Sequence, residues 1–248
     1  MVTLKTKQEL SLLQKAGRLS AEALWAGGEA VRPGVTTAEI DRIIHDYIVR
    51  HGGTPNFLHY GGFPASACIS VNDEVIHGIP GNRVLQEGDI VSIDTGAKIH
   101  GYNGDNAYTF ACGAVSDEAR RLMDATKRAL ELGIAAAQPG NRIGDISAAV
   151  QGYVEPLGFS VVRDYVGHGV GRDLHEEPEV PNFGRAGHGV RLVPGMVIAI
   201  EPMINAGVYG VRVLDNDWTV VTMDGRLSAH FEHTVAITQN GPVVLTAV

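Results

Sequence analysis

Apolar residues return at helical spacing in four stretches of this chain, and three of the stretches open on a capping signal. Thr6-Lys7-Gln8-Glu9 has the form of a capping box and precedes an amphipathic run towards residue 26. Thr36-Thr37-Ala38-Glu39 repeats the device ahead of Ile40, Ile43, Ile44, Tyr47 and Ile48, which fall on one helical face. Ser116, followed by Asp117 and Glu118, predicts a third helix with acids at the positive end of its dipole. A fourth is predicted from about 144 to 156. Elsewhere the pattern shortens to Ile90-Val91-Ser92-Ile93 and Val197-Ile198-Ala199-Ile200, which read as buried strands ending on Asp94 and Glu201. Asp94 and Asp105 flank residues 95–104, where Gly96, Gly101, Asn103 and Gly104 supply turn chemistry. The two aspartates are therefore expected on adjacent strands of a hairpin. Asn240-Gly241, between 234–237 and 243–246, predicts a second hairpin. Antiparallel strands with helices on one side define an α+β architecture.

The second and fourth helices read as copies. Pro33-Gly34 matches Pro139-Gly140, Ile40 matches Ile146, Tyr47 matches Tyr153 and Gly52 matches Gly158. At nearly the same offset, Leu85-Gln86-Glu87-Gly88-Asp89 and the strand up to Asp94 align with Leu192-Val193-Pro194-Gly195-Met196 and the strand up to Glu201. Either match alone is what Pro-Gly turns produce by chance. Two collinear matches, the second ending on an acid in each copy, predict a duplicated α/β unit. No linker or low-complexity segment divides the chain. We expect one catalytic domain, 1–248, built from pseudo-symmetric halves of about 1–112 and 113–248.

Composition narrows the class. A net charge of −8 argues against nucleic acid as a specific partner, which leaves a basic footprint. Two cysteines, Cys68 and Cys112, make no disulfide framework and suit a reducing compartment. The first ten residues carry two lysines and no apolar core, so no signal peptide is expected, and no apolar run is long enough to span a bilayer. A cytoplasmic location follows.

Candidate chemistry gathers on four acids and one histidine: Asp94, Asp105, His168, Glu201 and Glu232. A strand-end aspartate is ordinarily a solvated turn residue. Asp94 and Glu201, however, follow runs that are expected to be buried, and an unpaired buried carboxylate is costly. A metal ion removes that cost. His168 lies between Gly167 and Gly169, which allow close backbone approach, with His175-Glu176-Glu177-Pro178 nearby. The glycines also suggest a phosphate loop, but Asp173-Leu174-His175 opens no helix and the dinucleotide reading fails. Glu232 and His230 would share one face of a strand through residues 229–234. Four carboxylates and a neutral imidazole balance two divalent cations, and two such ions held about 3.5–4 Å apart bring a shared water close to ionisation at neutral pH. A hydrolase is the leading reading. His77 before Pro80, Cys68 and Trp218 are unremarkable by themselves.

Taken together these motifs resemble type I methionine aminopeptidase, of the pita-bread fold in peptidase family M24. The resemblance rests on Val71-Asn72-Asp73-Glu74-Val75-Ile76-His77-Gly78-Ile79-Pro80, the Asp94/Asp105 pair and Gly167-His168-Gly169-Val170-Gly171. It continues through His175-Glu176-Glu177-Pro178, Ile200-Glu201-Pro202-Met203 and Glu232-His233-Thr234, spanning nearly the whole chain. The spacing leaves no room for the helical insertion of type II enzymes, and the short bacterial-style form fits. The resemblance implies that Asp94, Asp105, His168, Glu201 and Glu232 bind two divalent ions, cobalt, manganese, iron or zinc. It implies that Glu201 shuttles a proton, that His175 contacts the scissile amide, and that His77 positions the substrate backbone. Tyr60, Phe63, Cys68 and Trp218 would form the methionine pocket. The expected substrates are peptides and nascent chains with N-terminal methionine, met by a monomer that associates with ribosomes. Four residues depart from the pattern. Leu174 stands where an aromatic is common, Phe57 where a smaller residue is, His230 for glutamine, and Asn106 for a hydroxyl residue. These bear on substrate range.

Three rivals share the fold. A prolidase or Xaa-Pro aminopeptidase carries the same ligands but usually a large extra N-terminal domain, and a creatinase-like hydrolase lacks the full set. A non-catalytic binding protein on this fold would be expected to have lost ligands, and all five are present.

Overall fold

Both threonine capping boxes form in the computed structural model, which describes residues 1–248. Helix α1 (Lys7–Gly28) begins where Thr6 Oγ1 accepts the Glu9 N–H and the Glu9 carboxylate accepts the Thr6 N–H. Helix α2 (Thr37–Arg50) repeats the pair with Thr36 and Glu39. Only Ile40, Ile44 and Ile48 of its expected apolar face are fully buried, and Ile43 is left exposed. Ser116 Oγ accepts the Ala119 N–H to open α3 (Asp117–Ala136). Helix α4 (Ile143–Val154) passes into a 3-10 turn, Glu155–Leu157, where Pro156 has no N–H to continue the α-helical ladder.

Fifteen strands accompany the helices. The first five are β1 (Thr54–Pro55), β2 (Ala67–Val71), β3 (Glu74–Ile76), β4 (Ile90–Ile99) and β5 (Tyr102–Ala111). Then come β6 (Ser160–Val161), β7 (Gly167–Gly169), β8 (Glu176–Val180), β9 (Val197–Ile200) and β10 (Met203–Asn205). The last are β11 (Val211–Val213), β12 (Val220–Thr222), β13 (Ser228–His230), β14 (His233–Thr238) and β15 (Gly241–Val244). All pairings are antiparallel: β4 joins β5 along its length and takes β1 and β2 on its other side, while a second sheet runs β15-β14-β9-β7-β8. Two three-stranded sheets, β13-β10-β6 and β11-β12-β3, complete the set. Helices α1 and α2 cover one core that includes Leu24, Ile44, Val91 and Ile93. Helices α3 and α4 cover a larger one that includes Leu122, Ile146, Ile198 and Val235. No helix is long and apolar enough to cross a membrane.

The first hairpin forms, but with a much shorter turn than the glycines suggest. Strands β4 and β5 pair from Ile90↔Ala111 to Ile99↔Tyr102, leaving only His100 and Gly101 in the turn, both with positive φ. That is the two-residue turn whose twist suits a hairpin. Gly96 and Gly104 sit inside the strands for a different reason. A Cβ on Gly104 would lie 2.5 Å from the backbone of Ala16 and Gly17, so its absence lets α1 rest on the sheet. Asp94 is consequently in the middle of a strand and not at its end, whereas Glu201 does follow the last residue of β9. Pro202 has no N–H with which to extend β9.

The matched segments share their local bonding. The Gly34 N–H donates to Leu85 and the Gly140 N–H to Leu192, at 2.9 and 2.8 Å. Val35 accepts the Leu85 N–H and Asn141 the Leu192 N–H, both at 2.8 Å. Gly34 and Gly140 have φ of 91° and 96°, Gly88 and Gly195 of 94° and 98°, a conformation that penalises any side chain. Between β13 and β14 the chain changes sheets. There the Phe231 N–H donates to the Pro202 carbonyl, and the Glu232 N–H to that of Ala107. Thr234 Oγ1 accepts from the Asp105 N–H and donates to the Asp105 carbonyl, tying the two large sheets together.

Candidate metal centre and substrate cavity

Each acid reaches the centre from a different structural context. Asp94 and Asp105 project from neighbouring strands, two positions apart in register, since Asp94 faces Ala107 and Gly96 faces Asp105. His168 occupies the middle of β7, whose Gly169 pairs with Ile198 of β9. Glu201 follows β9, and Glu232 stands at the sheet change. The expected single strand through 229–234 is broken after His230, yet both His230 and Glu232 still turn towards this centre. His230 Nε2 lies 3.8 Å from Glu201 Oε2, and Glu232 lines the cavity.

The ligand atoms of Asp105, His168 and Glu232 lie within 4.8 Å of one another. His168 Nε2 is 3.6 Å from both Asp105 Oδ2 and Glu201 Oε1. Its Nδ1 lies 2.8 Å from the Gly169 carbonyl, which can only accept, so Nδ1 carries the proton and Nε2 presents its lone pair. Asp94 Oδ1, Asp105 Oδ1 and Glu232 Oε1 are buried and accept no hydrogen bond. Burial lifts the pKa of Asp94, Glu201 and Glu232 well above the ordinary carboxylate range, and the neighbouring acids push the same way. Asp105 is raised to about 7, chiefly by burial. Burial also holds His168 down to about 3, which keeps the imidazole neutral. Crowded acids with unbonded oxygens, beside a neutral imidazole of fixed tautomer, are the donor set that divalent cations satisfy. The residues fit such a group.

This electrostatic crowding has a measurable consequence. A carboxyl with a raised folded pKa binds its proton more tightly in the folded state, so its contribution is lost as pH rises through that pKa. The depressed histidines act oppositely, adding stability as pH rises to their unfolded value of about 6.5. His77 and His233 are held at about 4, and His168 and His230 at about 3, so that gain is complete by then. Chelated protein is therefore expected to fall in Tm by several degrees between about pH 6.5 and 8.5. Metal-loaded protein should not fall in that window. Scanning calorimetry across pH checks this, and a flat or rising Tm without metal contradicts it.

All eleven residues expected at the site, the four acids and His168 among them, line one cavity of about 390 Å³. Phe63, Cys68 and Trp218 form an apolar wall, with Phe57 and Leu174 packed into the same cluster. The Phe63 and Trp218 rings meet edge to face at 5.1 Å. Cys68 is buried on β2 opposite Asp94, and burial pushes its thiol up, keeping it a small apolar contact. His77 has φ of 58°, in the left-handed region that costs a residue with a Cβ about 1–2 kcal/mol, and it meets Trp218 and Tyr165 edge to face. Tyr60 does more than line the pocket. Its hydroxyl lies 2.9 Å from His175 Nδ1, and the rings stack at 5.3 Å, so Nε2 of His175 is the nitrogen left for substrate. The His175 and His168 rings are 4.0 Å apart.

Several cavity residues had no individual signal in the sequence. Asp164, Tyr165 and Val166 lead into the His168 strand and complete the wall. A further support comes from the start of the chain. Lys5 Nζ lies 2.5 Å from Glu176 Oε2 with both side chains shielded, and the Lys5 N–H donates to the Gly195 carbonyl at 2.7 Å. This pair braces the segment after His175. Of the four departures, Phe57 and Leu174 face the cavity, whereas His230 and Asn106 are buried beside it.

An antiparallel α+β shell around a buried acid-and-histidine centre defines a metallohydrolase of the pita-bread class. The sequence matches metallopeptidase family M24 over residues 11–239, and the chain belongs to that family. It is 55% identical over 248 residues to a methionine aminopeptidase of Clostridium perfringens, covering all of both chains. The crystal structure of a methionine aminopeptidase from Thermotoga maritima superposes with a TM-score of 0.98 at 44% identity, again over all of both chains. A prolidase from Pyrococcus furiosus shares the fold at a TM-score of 0.80 and 24% identity, the match covering 99% of this chain and 65% of that one.

Proposed function

We propose that this chain is a type I metalloaminopeptidase that removes the N-terminal methionine from peptides and nascent proteins. The observation that carries the reading is one cavity lined by both the apolar cluster and the acidic centre, in an M24 chain matched over its full length by methionine aminopeptidases. The prolidase likeness supports the fold alone.

Asp94, Asp105, His168, Glu201 and Glu232 would hold two divalent cations. When bound, these polarise the substrate carbonyl and acidify water. Phe57, Phe63, Cys68, Leu174 and Trp218 receive the methionine side chain, a surface suited to a flexible thioether. His175, turned by Tyr60, presents Nε2 to the scissile amide, and His77 contacts the substrate backbone. Such groups act most strongly where charge develops on the carbonyl oxygen. Glu201 carries a proton from the attacking water to the departing amine. Cobalt, manganese, iron or zinc suits this donor set, and availability selects among them. The reading includes action as a monomer in the cytoplasm, with ribosome association as the route to nascent chains. It also takes the chain as one domain of two pseudo-symmetric halves, supported by the paired hydrogen bonds at Gly34 and Gly140.

Cleavage of Met-Ala-Ser beside Ala-Pro, after chelation and again after manganese or cobalt is restored, tests the proposal. Metal-dependent release of methionine alone is expected. Turnover of Ala-Pro alone would move the chain to the prolidase branch, and silence on both with metal bound would favour a binding role.

A further inference from the structure

His230 closes β13 with its side chain almost completely buried, and neither ring nitrogen has a hydrogen-bond partner. Its backbone is clamped. The His230 N–H donates to Thr109 Oγ1 at 3.0 Å, and the same hydroxyl donates to the His230 carbonyl at 2.8 Å. Its pairing with Met203 sets it across from the strand that follows Glu201-Pro202. The backbone that carries the ring is thus fixed relative to Glu201 by the sheet itself.

The Glu201 carboxylate has two sides. Oε1 stands 3.6 Å from His168 Nε2, and Oε2 stands 3.8 Å from His230 Nε2. An imidazole carries at least one N–H in either of its common protonation states, and a buried donor without an acceptor is costly. Closing the gap to a normal bond of about 2.9 Å needs a shift of about 1 Å. His230 does not line the cavity, so any effect on substrate passes through another residue.

We propose that His230 is a positioning residue: its Nε2–H donates to Glu201 Oε2 and holds Oε1 towards the cavity. The proposal rests on the reading of Glu201 as proton carrier and adds the group that orients it. No proton is transferred to His230 in this role. Its Nδ1 stays unprotonated, and the hydrogen bond persists through turnover.

The test compares H230L, which fills space without a donor, with H230Q, which restores one. Both are made in the metal-loaded, full-length protein and assayed on Met-Ala-Ser. Loss of one orienting hydrogen bond around a metal centre costs about 10–100-fold. H230L is expected to lose that much in kcat with KM within twofold, and H230Q to recover most of it. Equal behaviour of the two variants, an effect confined to KM, or no effect would overturn the proposal. A direct readout needs neither variant to fold. Nitrogen-15 spectra of wild-type protein labelled at histidine should assign the His230 proton to Nε2, and a proton on Nδ1 alone overturns it. Normal turnover by E201Q would instead defeat the proton-carrier reading, a result separate from the tautomer.

Discussion

Asp105→Asn is expected to lower metal-dependent turnover by about a thousandfold or more while the protein stays folded. The substitution preserves shape and removes one charge from a centre built on four. The backbone at residue 105 stays in place, because Thr234 bonds both its N–H and its carbonyl. One side of the asparagine amide would face the His168 lone pair, 3.6 Å from Asp105 Oδ2, and the cations would meet a neutral ligand. Metal affinity falls with it. The same change should stabilise the chelated protein at pH 8, since Asp105 is one of the charges that push Asp94, Glu201 and Glu232 up. Calorimetric titration with manganese and thermal unfolding with and without chelator measure the two effects. Glu232→Gln should behave alike. Normal turnover with bound metal in either variant would refute the ligand assignment.

His175→Ala is expected to retain metal and lose about a hundredfold to a thousandfold in kcat. The side chain is exposed at the cavity, and its one side-chain hydrogen bond is the one to Tyr60 through Nδ1. Removal therefore deletes a donor to the developing charge and leaves the centre behind it intact. Steady-state kinetics on Met-Ala-Ser, with metal content measured on the same sample, separates the cases. A change confined to KM would reduce His175 to a binding role.

Where the sequence carries local instructions, the structure follows them. Thr6, Thr36 and Ser116 cap their helices because each hydroxyl answers a backbone N–H three residues on, a relation contained in a few adjacent letters. The eleven site residues also meet in one cavity. What was hidden depends on distant chain. Gly96 and Gly104 looked like turn residues because nothing local says that α1 will lie against Gly104. Asp94 looked like a strand end for the same reason, as β4 is prolonged by its pairing with β5. The strand break after His230 comes from bonds to Pro202 and Ala107, and Tyr60 meets His175 across more than a hundred residues of sequence. Lys5 and Glu176 are farther apart still.

The contact between Gly17 and Leu245 bears on how the molecule comes into being. A Cβ on Gly17 would lie 2.5 Å from the Leu245 carbonyl oxygen, so α1 also rests on residues more than two hundred positions later in the sequence. Glu232 and the Thr234 clamp on Asp105 also arrive late. Until those residues are in place, Asp94 and Asp105 lack both Glu232 and the clamp, although α1 can already rest on β4 and β5. Such distant pairings make folding slow. A chain stopped before β14 would lack the clamp on Asp105 and the contact between Gly17 and Leu245, and is expected to be inactive.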